Sequence, residues 1–123
     1  MFLQIVSIHN HGNYAEEYVR LKAVEDCELD DYLLIDTSYN GDGVVSNKLR
    51  HTYWWAPKTF ARKGDIVFLY TRSGGDNVRD DADGRPRLRD FFWNLKHPVW
   101  NDTGDIATLF NIKTFLQKQA RPA

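Results

Sequence analysis

Cysteine is nearly absent. Cys27 is the one thiol in 123 residues, which excludes an intrachain disulfide and any zinc site built from several cysteines, in keeping with a reducing compartment. A surplus of charge is missing too: 16 Lys and Arg stand against 17 Asp and Glu, a formal charge of −1. Such a chain exerts no global pull on nucleic acid, anionic lipid or a strongly basic partner, so any binding of that kind has to be local. Long apolar runs are also lacking. The N-terminal MFLQIVSIHNHG is interrupted by Gln4 and has neither a basic n-region nor a small-residue cleavage site, so neither a signal peptide nor a membrane span is expected, and the default location is cytoplasmic. No clear amphipathic helix longer than about two turns stands out, and there is no internal repeat.

Aromatic residues are what the chain has in quantity. Four Trp, six Tyr and seven Phe supply a core with bulky, low-entropy material, and a domain of this length buries roughly two-thirds of the surface its unfolded chain exposes. Phe2 to Ile8 reads as a first strand and ends at the turn-rich His9 to Asn13. In Glu17 to Val24, Tyr18, Arg20 and Lys22 alternate with Val19, Leu21 and Ala23, one face wet and one apolar, as in a sheet solvated on one side. Tyr32 to Tyr39 reads as a central strand and Asn40-Gly41-Asp42-Gly43 as a turn. His51 to Trp55 is an aromatic strand that Pro57 stops, and Ile66 to Thr71 is the most β-prone run.

Arg72 to Leu88 is the one long irregular segment, of a length that in a compact domain marks function or disorder. Phe91 to Phe110 then gives an aromatic strand, a polar corner at Asn101 to Asp105, and a second apolar strand. Lys113 to Ala123 carries Lys113, Lys118 and Arg121 against no acid, and predicts a last short strand followed by a basic tail. Short strands punctuated by turns in this way predict a β-sandwich or barrel in one unit.

The order of motifs resembles the lamin tail domain family. Glu17-Tyr18-Val19-Arg20-Leu21-Lys22 is similar to the family's early E-x-V-x-L strand, and Leu29 with Tyr32-Leu33-Leu34-Ile35-Asp36 to its following D-L-x-x-W-x-L-x-D step, with Tyr32 where a Trp is usual. Tyr53-Trp54-Trp55, Lys63-Gly64-Asp65-Ile66-Val67 and Thr71-Arg72-Ser73-Gly74 continue the series. Trp93 and the block from Val99 to Leu109 close it, and that block is the most specific part. The resemblance implies an all-β, immunoglobulin-like β-sandwich of about seven to eight antiparallel strands over residues 1–112, with residues 113–123 as a strand end and basic tail. It also implies an interaction module without enzymatic activity; fold alone does not transfer function.

Catalytic groupings find little support in the spacing. Asp102 and Asp105 could form a metal or acid pair, but Trp100, Asn101, Asp102, Gly104 and Asp105 read better as a structural corner, with Trp100 buried and the polar side chains holding turn amides. His9 and His11 share a face if extended, yet no third ligand is marked near them or near His51 and His97. Asp81-Ala82-Asp83-Gly84 fails as a calcium loop because Arg79 takes the first ligand position. Cys27 lies between Asp26 and Glu28, which suppress its thiolate, and Ser7, Ser38, Ser46 and Ser73 lack an elbow setting. No cofactor and no metal are therefore expected.

Binding is better supported. Arg72, Arg79, Arg85, Arg87 and Arg89 are matched one for one by Asp76, Asp80, Asp81, Asp83 and Asp90, so the segment pairs with itself unless a partner intervenes. Arg85, Arg87 and Arg89 alternate, and would lie on one side of a strand. Of the adjacent Trp54 and Trp55 one must face out, making it a candidate contact residue. The expected function is a non-enzymatic module that binds a protein partner or a second copy of itself through these residues. A nucleic-acid accessory role is the alternative, and a small metal-dependent hydrolase a more distant one.

Overall fold

Residues 1–38, 49–80, 86–100 and 104–122 are described by a computed structural model of the chain. Among them are ten strands: β1 (Leu3–His9), β2 (Tyr18–Ala23), β3 (Cys27–Glu28), β4 (Tyr32–Ser38), β5 (Thr52–Trp54), β6 (Phe60–Ala61), β7 (Ile66–Tyr70), β8 (Asn77–Asp80), β9 (Arg87–Phe92) and β10 (Asp105–Asn111). A single 3-10 turn at Leu29–Asp31 is the helical part of the described chain. The Asn40 to Gly43 turn, Tyr39 and Ser46, Asp81 to Arg85 with its broken calcium pattern, and Asn101 to Thr103 lie outside the described residues.

The strands assemble into a five-stranded sheet in the order β1-β2-β7-β9-β8, a three-stranded sheet β10-β4-β5, and the short ladder β3-β6. This all-β, several-sheet arrangement is consistent with a β-sandwich. One core joins the two larger sheets: Leu3, Val19, Leu21, Ala23, Val67, Leu69 and Phe91 come from the first, and Tyr32 and Leu34 from the second. Trp55 and Trp100, both 1% exposed, fill the middle. The alternation in β2 decides its faces, since Val19, Leu21 and Ala23 are buried while Arg20 and Lys22 are exposed.

Two expectations are corrected. The strands are not all antiparallel, because β7 and β9 pair in parallel, with Ile66 opposite Leu88 and Tyr70 opposite Phe92. The cause lies inside the stretch read as irregular: Asn77–Asp80 runs back as β8, and β9 then inserts between β7 and β8, pairing antiparallel with β8. The final strand expected after Lys113 is also missing. Pairing ends with Asn111 of β10, and the described residues beyond it are exposed apart from Ile112. Phe115 rests edge-on against Trp54, 5.2 Å between ring centroids.

Candidate binding face

The wet side of the five-stranded sheet carries the most distinctive chemistry on the molecule. Register brings His9 opposite Tyr18, Tyr18 opposite Tyr70, and Tyr70 opposite Phe92, so four strands contribute one ring each to a single row. His9 and Tyr18 lie 4.7 Å apart between centroids with planes 16° apart, and Tyr70 and Phe92 lie 5.1 Å and 18° apart. Tyr18 leans on Tyr70 at 5.3 Å and 53°. Near-parallel rings at these separations overlap face to face, since coplanar rings would collide. Two near-parallel pairs are thus joined by a tilted contact between Tyr18 and Tyr70. Such cross-strand aromatic pairs each contribute about 0.2–1 kcal/mol to the sheet.

Cations frame the row. The Arg72 guanidinium sits 5.1 Å from the Tyr70 centroid and 4.9 Å from that of Phe92, about equally far from the two stacked rings and within cation–π range of both. Burial pushes the Tyr70 hydroxyl's pKa up, Asp90 adding to this while Arg79 and Arg72 oppose it. One step along the strands, Arg20 is opposite Phe68 and Lys22 opposite Ile66. Arg79 lies over Phe68 at 5.4 Å and makes a two-point ion pair with Asp90, 2.6 and 2.8 Å, which holds the Arg79 guanidinium above its ordinary pKa. Arg20, Lys22 and Arg72 have no acidic partner among the described residues. Gly74 backs the row from the side: a Cβ there would stand 2.5 Å from the Phe92 ring, so the turn passes over Phe92 only with glycine at this position.

The residues singled out in the sequence fall in separate places. Arg72 and Arg79 belong to the outer face. Arg87 and Arg89 do share a side, but it is the inner one: Arg87 donates to Asp65 Oδ2 at 3.0 Å and Arg89 to the Phe60 carbonyl at 2.8 Å. Arg89 is 8% exposed, and burial beside Arg87 holds its guanidinium below the ordinary pKa despite Asp65 nearby. Arg85 lies outside the described residues. Trp55 is the inward member of its pair, while the half-buried Trp54 gives its indole N–H to the Asp30 carbonyl at 2.8 Å. In the corner, Trp100 is buried, Gly104 and Asp105 are half-buried with Asp105 opening β10, and Asn101 and Asp102 lie outside the described residues.

Glu17 is the residue the sequence reading passed over. It is fully buried. Its Oε1 accepts the Gly12 N–H at 3.0 Å, and its Oε2 accepts the Thr71 hydroxyl, the Val99 N–H at 2.8 Å and the Trp100 N–H at 3.4 Å. The carboxylate ties the start of β2 to the end of β7 and to the segment entering the corner. Tyr18 follows it directly, and Thr71 separates Tyr70 from Arg72, so Glu17 fixes the end of the sheet on which the ladder stands.

Elsewhere, Asp36 and His51 form the one carboxylate–imidazole pair among the described residues. The buried Asp36 Oδ1 accepts the His51 N–H at 2.6 Å and lies 3.1 Å from His51 Nδ1. Among the described residues no hydroxyl or thiol contacts that ring, and the pair clamps β4 to the residue that leads into β5. Three or more His, Cys, Asp or Glu positioned to share a metal are not found among the described residues. His9 stacks on Tyr18 and touches Ser7 Oγ at 2.7 Å.

Cys27 is buried, and its thiol is pushed up to about 11 by burial first and then by Asp31, Asp26, Glu28 and Asp65. A raised pKa keeps the thiol protonated across neutral pH, and the stability this contributes is lost as pH rises toward 11. Iodoacetamide at pH 8 is expected to alkylate the folded protein at least about tenfold more slowly than the urea-unfolded chain. Equal rates, followed by intact mass, would refute it.

No protein-family model and no curated protein matches this chain.

Proposed function

We propose that the chain is a non-enzymatic interaction module of the lamin-tail, immunoglobulin-like kind, which binds a protein partner through the outer face of its five-stranded sheet. The observation that carries this reading is the His9–Tyr18–Tyr70–Phe92 row with its flanking Arg20, Lys22 and Arg72. Tyr and Arg are enriched in protein hot spots, Tyr because it offers large contact area with few rotors and a polar tip, Arg because its planar fork presents several donors at once. The packing of these rings on one another favours a protein over single-stranded nucleic acid. Bases are gripped by stacking on open ring faces, whereas His9, Tyr18, Tyr70 and Phe92 each turn one face to a neighbouring ring.

The test is affinity recovery from host extract with and without nuclease, using the native chain and a Tyr18→Ser, Arg20→Glu, Tyr70→Ser variant whose fold is checked by near-UV circular dichroism. Recovery of a defined polypeptide that resists nuclease and falls about tenfold or more in the variant is expected. Recovery lost on nuclease treatment would move the reading to a nucleic-acid accessory. Equal recovery by the variant would remove the outer face from consideration. Sedimentation of the purified chain separates a second copy of itself from a foreign partner.

A further inference from the structure

The parallel β7-β9 pair has a consequence at the end of the sheet. It sets the beginnings of both strands side by side, next to the end of the antiparallel β2, and together they enclose a cavity of about 630 Å³. Lys22, Arg62, Lys63 and Arg87 line it, facing the carboxylates of Asp26 and Asp65. Among the described lining residues, four cations and two carboxylates leave a formal surplus of +2, on a chain whose total is −1.

Both carboxylates are already engaged. Asp65 Oδ2 accepts from Arg87 Nη2 at 3.0 Å and from the Arg62 backbone N–H at 3.0 Å, and Asp26 Oδ1 accepts the Lys63 N–H at 2.7 Å. Among the described residues Lys63 Nζ reaches only Glu25, at 3.6 Å and in solvent, where a pair is worth little. Lys22 and Arg62 have no acidic partner among the described residues. Among the described residues, two cations thus face a concave space without a counter-charge.

We propose that this cavity is a binding site for a phosphate monoester. A monoester carries about −1.5 to −2 charges near neutral pH and three acceptor oxygens, which matches a surplus of two cations with several donors. A carboxylate, with one charge and two oxygens, leaves a cation uncompensated. The cavity is larger than a phosphate alone and falls in the range of roughly 300–1,000 Å³ typical of ligand sites, and Ile66 and Pro86 give it an apolar wall for the ester's organic part. The site goes beyond the outer face and shares only Lys22 with that surface, so either can fail without the other.

The test is an amide ¹H–¹⁵N titration of the full chain at constant ionic strength with inorganic phosphate, O-phosphoserine and a phosphoserine pentapeptide. Saturable shifts at Lys22, Lys63, Gly64 and Ile66 are expected, with binding about tenfold or more weaker in Lys22→Gln, Arg62→Gln. These side chains make no ion pair, so the fold survives the change and the rest of the spectrum verifies it. Tighter binding of the pentapeptide assigns the phosphate to a modified partner, and tighter binding of O-phosphoserine to a small molecule; both support the site. The proposal is overturned if shifts fail to saturate, if sodium chloride reproduces them, if the double variant binds equally, or if a single-stranded oligonucleotide outcompetes every monoester.

Discussion

Replacing Glu17 by alanine is expected to cost about 4–5 kcal/mol, a large share of the 5–15 kcal/mol that holds a domain of this kind together. The substitution removes the acceptor for Gly12, Thr71, Val99 and Trp100 in a position without access to water. Each buried donor left unpaired costs about 1–3 kcal/mol. The four losses do not add fully, because the Gly12 turn is partly solvated and the Trp100 bond is long. Glu17→Gln keeps the shape and one carbonyl oxygen but turns an amide N–H₂ toward donors, so its cost is expected at about half that of alanine. Urea denaturation followed by tryptophan fluorescence gives both values. The order native, then Gln, then Ala is the expected outcome, and an alanine variant within about 1 kcal/mol of native would show that the carboxylate is no keystone. Because Tyr18, Tyr70 and Arg72 flank the residues it joins, the same variant should disorder the ladder end before the rest of the sheet.

The second large effect is expected at Asp65. Its side chain is 4% exposed, with Arg87 Nη2 at 3.0 Å and Arg89 Nη1 at 4.0 Å. The Nε atoms of Arg87 and Arg89 are buried without an acceptor among the described residues, and no other carboxylate among those residues pairs with either guanidinium, so Asp65 is the principal counter-charge of both. Asp65→Ala strands two guanidinium groups beside one another in a poorly solvated place. The cost is expected at about 3 kcal/mol, at the lower end for a broken buried pair since Arg87 keeps some contact with water. For a chain of this size that corresponds to a fall in Tm of roughly 10 °C. Scanning calorimetry checks it, and partial rescue by Asp65→Ala combined with Arg87→Met would identify the stranded charge as the cause. An unchanged Tm would contradict this reading of the network.

Much of the fold is legible in the sequence because it depends on alternation. β2 shows its two faces residue by residue, and β1, β4, β5 and β7 appear within a residue or two of where they were read. β8 does not, since Asn77-Val78-Arg79-Asp80 has a weakly β-prone composition and sits at an edge where all four residues are exposed. Missing it hides the insertion of β9 and with it the parallel pair. The alternation of Arg87 and Arg89 is correctly visible, but which side faces the core depends on a neighbour, Asp65, far away along the chain. The binding face is legible only in fragments. Large rings at wet positions, Tyr18 in β2 and Phe68 with Tyr70 in β7, hint that the outer face is not merely solvated. That they form one row with His9 and Phe92 follows from strand order and register, which single-sequence periodicity does not contain. Glu17 escapes for the opposite reason: an acid before a strand looks solvated until the chain folds four donors around it.

The central claim, that the outer face meets a polypeptide, is tested most directly by site-resolved photocrosslinking in host extract. A benzophenone amino acid is placed at Arg20, among the rings, and separately at Phe110, which is 39% exposed on the three-stranded sheet. A nuclease-resistant polypeptide adduct is expected from position 20, suppressed by the Tyr18→Ser, Tyr70→Ser background, and none above background from position 110. Equal adducts from both positions, or an adduct from position 20 that nuclease removes, would contradict it.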